Sequence, residues 1–305
     1  MGHALHLPCP PIAALALAGC AAVASLPLPD ARGTVTTATI DLDGQAFDAT
    51  WYWPVAEPLA LLVLQPGFTR ACRHLRETTR QLTTAPVAAL CIDAPMAGGN
   101  PGLADALALR MSHGLPTPGA SAMPRAVIVG GHSAGAAFVA RLGARLHALA
   151  PERLAGALLL DPVATPDFDA ELRTLSDRGA RPVLAVLAPP HRCNGQGSAR
   201  PAIERARDAA RAAGRDTVQA VEGGDAATHV DAEGEDSDAL ARAACGAPAP
   251  PTTARLRETA LAWLRRVLAC AGNTAGVSTR HEPVAQPPVL DLAGGGARHL
   301  RFADE

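Results

Sequence analysis

Apolar and polar positions along the chain change period several times, and each change marks an element. Residues 34–42 (TVTTATIDL) and 46–53 (AFDATWYW) alternate, with Asp43-Gly44 between them. That is the pattern of two antiparallel strands joined by a tight turn. Residues 59–65 (LALLVLQ) form a continuous apolar run that stops at Pro66-Gly67, as a strand buried on both faces does. Similar runs occur at 87–92, 126–130, 155–160 and 182–187, and a last one at 217–221. Between them, residues 70–84, 102–113, 134–149, 199–213 and 253–270 have helical spacing. An antiparallel start followed by repeated strand–helix units predicts an α/β fold, a mostly parallel sheet with helices on both faces. No internal repeat is present.

The two ends break this pattern. Residues 12–19 (IAALALAG) are too short an apolar run to span a bilayer, which takes roughly 20 residues. Ala22-Val23-Ala24 follows as a small-residue cleavage motif, so residues 1–24 are expected to be an export signal. Leu17-Ala18-Gly19-Cys20 is similar to a lipoprotein box, which makes Cys20 a candidate lipid anchor. The leader has no Arg or Lys before its apolar run, a departure from the usual signal. Residues 273–305, with Gly294-Gly295-Gly296 and no apolar periodicity, are expected to form a disordered tail. One folded domain is thereby expected over residues 25–272, in an exported protein.

Composition then narrows the chemistry. Of the 305 residues, 67 are Ala and none is Lys, so all 27 basic residues are Arg. Without Lys there is no Schiff-base lysine, no pyridoxal phosphate anchor and no P-loop lysine. A net charge of −2 with both signs interspersed argues against nucleic acid as a partner. Aromatic residues are 3% of the chain, so the core is expected to be built from Ala, Leu and Val. Beyond Cys9 and Cys20 there are five cysteines, Cys72, Cys91, Cys193, Cys245 and Cys270, with no C-x-x-C pair, and no metal site is expected. Cys193 and Cys245 fall in predicted loops late in the fold and are expected to pair; free buried thiols are the alternative. Five is odd, so at least one thiol is left over within a monomer, the expected oligomeric state.

The chemistry is carried first by Gly131-His132-Ser133-Ala134-Gly135, a G-x-S-x-G sequence directly after a predicted strand and directly before a predicted helix. In that context the turn is so tight that Ser133 must take a strained backbone conformation that exposes its Oγ. Glycines on either side avoid the clash, and the Ala134 N–H, at the helix start, points where an oxyanion would form.

Together with Gln65-Pro66-Gly67-Phe68, Leu160-Asp161-Pro162-Val163 and Thr228-His229-Val230-Asp231, this motif resembles the α/β-hydrolase superfamily over residues 34–270. Within it the chain looks most like secreted bacterial esterases and chlorophyllase-like and platelet-activating-factor-acetylhydrolase-like enzymes. The resemblance implies the order nucleophile, acid, base. His229, in a loop after the last predicted strand, stands where the superfamily places its base, and imidazole alone both takes and returns a proton near neutral pH. His281 and His299 lie in the tail, and His132 is expected to face away from the reaction.

The predicted strand 182–187 runs into Ala188-Pro189-Pro190 without a carboxylate. Asp161 ends the preceding strand at the carboxyl edge of the sheet and is the candidate acid, in a stretch that resembles the Asp-Pro-Val of chlorophyllase-like enzymes. A helix-capping role for Asp161 is the competing reading. Asp231 is too close in sequence to His229 to orient it. The resemblance nominates the Phe68 backbone N–H as the second oxyanion donor beside Ala134. The Phe68 ring is expected to wall an acyl pocket, with a core aromatic as the alternative, and Met96 and Met111 are expected to line the cleft. The expected activity is hydrolysis of a carboxylic ester (small-molecule, lipid or polymer) through an acyl-enzyme, with no cofactor. A non-catalytic surface or binding protein on the same fold is the alternative. Ser133 excludes a dehalogenase or epoxide hydrolase, which need Asp at the elbow, and a Cys-nucleophile lactone hydrolase.

Overall fold

The computed structural model describes residues 33–118 and 122–277, with residues 270–277 as helix backbone alone. The expected export signal with Cys20, and residues 278–305 of the expected tail, lie outside the described residues.

β1 (Thr34–Leu42) and β2 (Gln45–Trp53) form the hairpin that the alternation predicts. Leu42 pairs with Gln45 across a two-residue turn whose Asp43 and Gly44 both have positive φ, 57° and 77°. That is the conformation an Asp-Gly hairpin turn supplies cheaply. The buried runs become β3 (Ala60–Gln65), β4 (Val87–Ile92), β5 (Ala126–His132), β6 (Leu154–Leu160) and β7 (Val183–Leu187), and β8 (Val218–Glu222) closes the sheet. Strand order is β1-β2-β4-β3-β5-β6-β7-β8, with β2 antiparallel to both neighbours and every pair from β4 to β8 parallel.

Helices α1 (Arg76–Leu82), α2 (Pro101–His113), α3 (Ala134–Leu149), α4 (Phe168–Ser176), α5 (Arg200–Ala212), α6 (Ala239–Cys245) and α7 (Pro250–Val277) connect the strands. One core layer packs α2, α3, α4 and α5 on one face of the sheet. The other packs α1 and α7 on the opposite face, around Leu62, Leu64, Leu158, Leu160 and Trp263. Strand alternation divides the side chains between them. Val127 and Val129 of β5 face the first layer, and Ile128 faces the second.

The structure departs from the sequence expectation at several points. β5 continues two residues beyond 130, because Gly131 and His132 stay paired with Leu159 and Leu160 of β6. α4 was not foreseen, although Phe168, Leu172 and Leu175 give it a buried i, i+4, i+7 stripe. α6 has no such stripe; Asp238 caps its first turn by accepting from the Ala241 N–H. α7 runs to Val277, so helix extends past residue 272, where the domain was expected to end. Met96 and Met111 are fully buried in the first core layer and do not line a cleft.

Two disulfides form among the described residues. Cys193–Cys245 joins the loop after β7 to the end of α6, as expected. Cys72–Cys91, which the sequence reading did not assign, ties the segment after β3 to β4. The 52-residue separation of Cys193 and Cys245 gives that bridge a large loop-closure effect on the unfolded chain. Replacing both with Ser is expected to lower unfolding stability by about 2–5 kcal/mol in chemical denaturation. Unchanged stability, or both thiols free in non-reducing peptide maps, contradicts the bridge.

Candidate active site

Ser133 sits between β5 and α3 with φ 55° and ψ −125°, a region that costs a non-glycine residue on the order of 1–3 kcal/mol. The surrounding backbone leaves no alternative. A Cβ on Gly131 would overlap the Gly135 carbonyl, and one on Gly135 would overlap the Gln65 and Pro66 carbonyls. The turn is also bonded to the next strand: Ser133 N–H donates to Leu160 C=O at 3.1 Å, and Val163 N–H donates to Ser133 C=O at 3.1 Å. Ser133 and Asp161 therefore lie at the carboxyl ends of adjacent parallel strands, and Asp161 itself has a positive φ of 39°.

His229 arrives from the loop after β8. This loop leaves the sheet edge with Gly223 N–H bonded to Leu187 C=O at 2.8 Å. Asp231 shapes it: its carboxylate accepts from the Thr228 N–H at 2.9 Å and the Ala249 N–H at 3.3 Å. Asp231 is thus a turn residue and does not orient the imidazole. His229 is 6% exposed and lies between the other two groups. Its Nδ1 is 2.6 Å from Asp161 Oδ2, and its Nε2 is 2.9 Å from Ser133 Oγ.

The hydrogen-bond donors around Asp161 fix the proton positions. The carboxylate accepts from the Ala188 N–H at 3.0 Å and from the Asn194 amide at 3.2 Å to each oxygen. With those donors in place it acts as an acceptor toward His229, so Nδ1 carries the proton. Nε2 is then free to accept the Ser133 hydroxyl proton.

Asn194 is 1% exposed, and its Oδ1 is occupied by the His191 and Gly197 N–H groups, which holds the amide in place. No sequence pattern marks Asn194 as a site residue.

His132 also has a part that the motif alone does not reveal. Alternation along β5 turns it to the α7 face, where the His229 loop passes. Its Nε2–H donates to the His229 carbonyl at 2.7 Å, and the two rings are 4.9 Å apart. Its Nδ1 has no hydrogen-bond partner and lies 3.8 Å from Glu233 Oε1. Burial first, then the neighbouring His229, pushes the His132 imidazole down from 6.5 to about 3.

The segment after β3 runs against the serine. A Cβ on Gly67 would stand 2.7 Å from Ser133 Cβ and 3.1 Å from its Oγ. Arg70 N–H closes a turn onto Gly67 C=O at 3.1 Å, with Thr69 at φ 58°. Phe68 lies inside this turn, so its backbone is beside Ser133. The residue is 60% exposed, so Phe68 is neither a core aromatic nor a closed pocket wall. The Ala134 N–H opens α3, where the first N–H groups lack intrahelical partners. Among the described residues, no group of three or more His, Cys, Asp or Glu side chains could hold a metal ion.

No protein-family model and no curated protein sequence matches the chain. Solved structures do match it. A mutant of an esterase designated rPPE has a TM-score of 0.56 at 17% identity, over 79% of this chain and 85% of that one. The esterase domain of a Rhodothermus marinus protein has a TM-score of 0.53 at 19% identity, over 76% and 98%. A dienelactone hydrolase from Anabaena variabilis has a TM-score of 0.52 at 14% identity, over 77% and 98%. At these identities the likeness is one of fold, and it is the α/β-hydrolase fold.

The buried His132 links the site to stability. The unfolded chain binds a proton at this imidazole below about pH 6.5, whereas the folded chain does not until about pH 3. Its contribution is intact above 6.5 and is lost as pH falls toward 3. The melting temperature of the wild type is expected to fall more between pH 7 and pH 5 than that of His132→Asn, which keeps a donor without a titrating group. Equal falls contradict a buried neutral His132.

Proposed function

We propose that this α/β-hydrolase-fold chain is a serine hydrolase that cleaves carboxylic esters through an acyl-enzyme. The observation that carries the reading is the hydrogen-bonded line Ser133 Oγ, His229 Nε2, His229 Nδ1, Asp161 Oδ2, with separations of 2.9 and 2.6 Å. In the proposed reaction Ser133 Oγ attacks the ester carbonyl carbon while its proton passes to His229 Nε2. Asp161 holds the ring in that orientation and stabilises the imidazolium. The carbonyl oxygen becomes an oxyanion, accepting from the backbone N–H groups of Ala134 and Phe68. Collapse of this intermediate breaks the bond to the alcohol oxygen, which takes the proton from Nε2. Water then attacks the acyl carbon, gives its proton to the same nitrogen, and releases the acid as Ser133 regains its hydrogen. Each step uses only these groups and water.

We propose further that the protein works outside the cytoplasm. Two disulfides in one chain favour an oxidising compartment, which supports export. Cys20 as a lipid anchor remains part of the same proposal.

Ser133→Ala is expected to lower p-nitrophenyl butyrate kcat/KM by about 10⁶-fold. Asp161→Asn is expected to lower it by about 10⁴-fold, because the amide favours the wrong imidazole tautomer. Steady-state assays of the purified chains check both. Wild-type turnover in Ser133→Ala contradicts the proposed nucleophile.

A further inference from the structure

The loop that carries His229 continues into a run of acids, Glu233, Glu235, Asp236 and Asp238. Read as sequence, such a run is a solvated surface. In the structure it docks. Asp236 accepts from the Glu77 N–H at 2.6 Å and Arg76 at 3.1 Å. Glu235 takes a two-point bond from Arg257, whose Nε–H reaches the Thr78 hydroxyl at 2.9 Å. Thr78 Oγ1 donates to Ala232 C=O at 2.7 Å. These contacts fix the loop to α1 and α7.

One contact differs in what it joins. Arg70, the closing residue of the Gly67–Arg70 turn, donates Nε–H to Glu233 Oε1 at 2.8 Å and a second N–H to Oε2 at 2.5 Å. The Glu233 side chain is 2% exposed and that of Arg70 11%. A third Arg70 N–H reaches Asp238 Oδ2 at 2.7 Å. Glu233 also faces His132, whose other nitrogen holds the His229 carbonyl. A two-point guanidinium–carboxylate pair constrains direction as well as distance.

The turn has two further anchors. Gln65 bonds the Ile92 backbone in both directions, at 3.1 and 2.8 Å. Cys72 is bonded to Cys91, and its N–H to Asp93 Oδ1 at 2.7 Å. Both hold the ends of the segment to β4. Arg70 holds the turn itself, with Thr69 in a conformation that a β-branched residue avoids, against the loop that presents the base.

We propose that Arg70 and Glu233 are positioning residues. Their paired bonds set the Phe68 N–H and the His229 ring at the right separation around Ser133 Oγ. The inference rests on the serine-hydrolase reading above. The Arg70 guanidinium is taken up by Glu233 and Asp238, so the pair acts on the transition state through other groups: a misplacement of about 1 Å can cost a hundredfold in rate.

The experiment compares wild type, Arg70→Lys, and the double variant Arg70→Met with Glu233→Leu, using p-nitrophenyl butyrate and thermal melting. Removing both charges leaves no unpaired buried ion, so the double variant is expected to melt near the wild type. Its kcat is expected to fall roughly 10- to 100-fold with KM within about twofold. Phenylboronic acid, which forms a tetrahedral adduct on serine, is expected to bind it more weakly by a similar factor. Arg70→Lys keeps the charge but not the two-point geometry, and is expected to lie between the two in kcat.

A double variant that melts near the wild type and turns over like it overturns the proposal. If the double variant does not fold, Arg70→Lys decides: wild-type kcat and boronate affinity overturn the proposal, and a loss in both with an unshifted melt supports it. A wild-type chain that hydrolyses no ester overturns the underlying reading, and the pair's role with it. A wild type that hydrolyses beside variants that match it overturns the pair alone.

Discussion

Ser133 stands in a backbone conformation that serine alone would not choose, and the site is organised around keeping it there. Three strands contribute. β5 supplies the residue, β3 sends Gln65, Pro66 and Gly67 across its front, and β6 bonds its N–H through Leu160. Gly131, Gly135 and Gly67 have no side chain because there is no volume for one. The strain is stored where the sheet is most completely paired and buried, which is the setting in which such a conformation persists.

The other two members of the line reach this fixed point by different routes. Asp161 needs only the register between β5 and β6, since it follows the strand beside the serine. His229 comes from beyond the sheet edge, on a loop that must cross two strand ends. A loop of that length needs more anchors, and it has them: the Asp231 turn, the acids on Arg70, Arg76 and Arg257, and the His132 bond to its carbonyl. The Cys193–Cys245 bridge serves the same region from the other side, because Asn194 beside Cys193 braces the Asp161 carboxylate.

Much of this was legible in the chain. Continuous apolar runs mark β3, β4, β6 and β7 because strands covered on both faces have no polar side to show. The Asp43-Gly44 turn marks the hairpin by its backbone requirement. Ser133, Asp161 and His229 could be named because each follows a strand end in the order that the superfamily resemblance implies. The end of β5 was misread because Gly130 and Gly131 signal a turn locally while the ladder to β6 continues through them. α4 has nine residues and α6 seven, too short for periodicity to outweigh their charged or Ala-rich composition. Asn194, His132, Glu233 and Arg70 were not legible as site residues because their roles depend on contacts across long separations. Arg70 and Glu233 lie 163 residues apart, and no local pattern joins them. The Cys72–Cys91 bridge was missed for a related reason: Cys91 sits inside a buried strand, where a thiol reads as one more apolar side chain.

In the proposed mechanism Ser133 is activated by the fold and by no property of serine itself. Treatment of the folded wild type with a fluorophosphonate, followed by intact-mass measurement and peptide mapping, tests this directly. The expected result is a single adduct on the peptide containing Ser133, formed in the native protein and absent when the chain is first unfolded in denaturant. No adduct on the native chain, or an adduct placed on another residue, contradicts it.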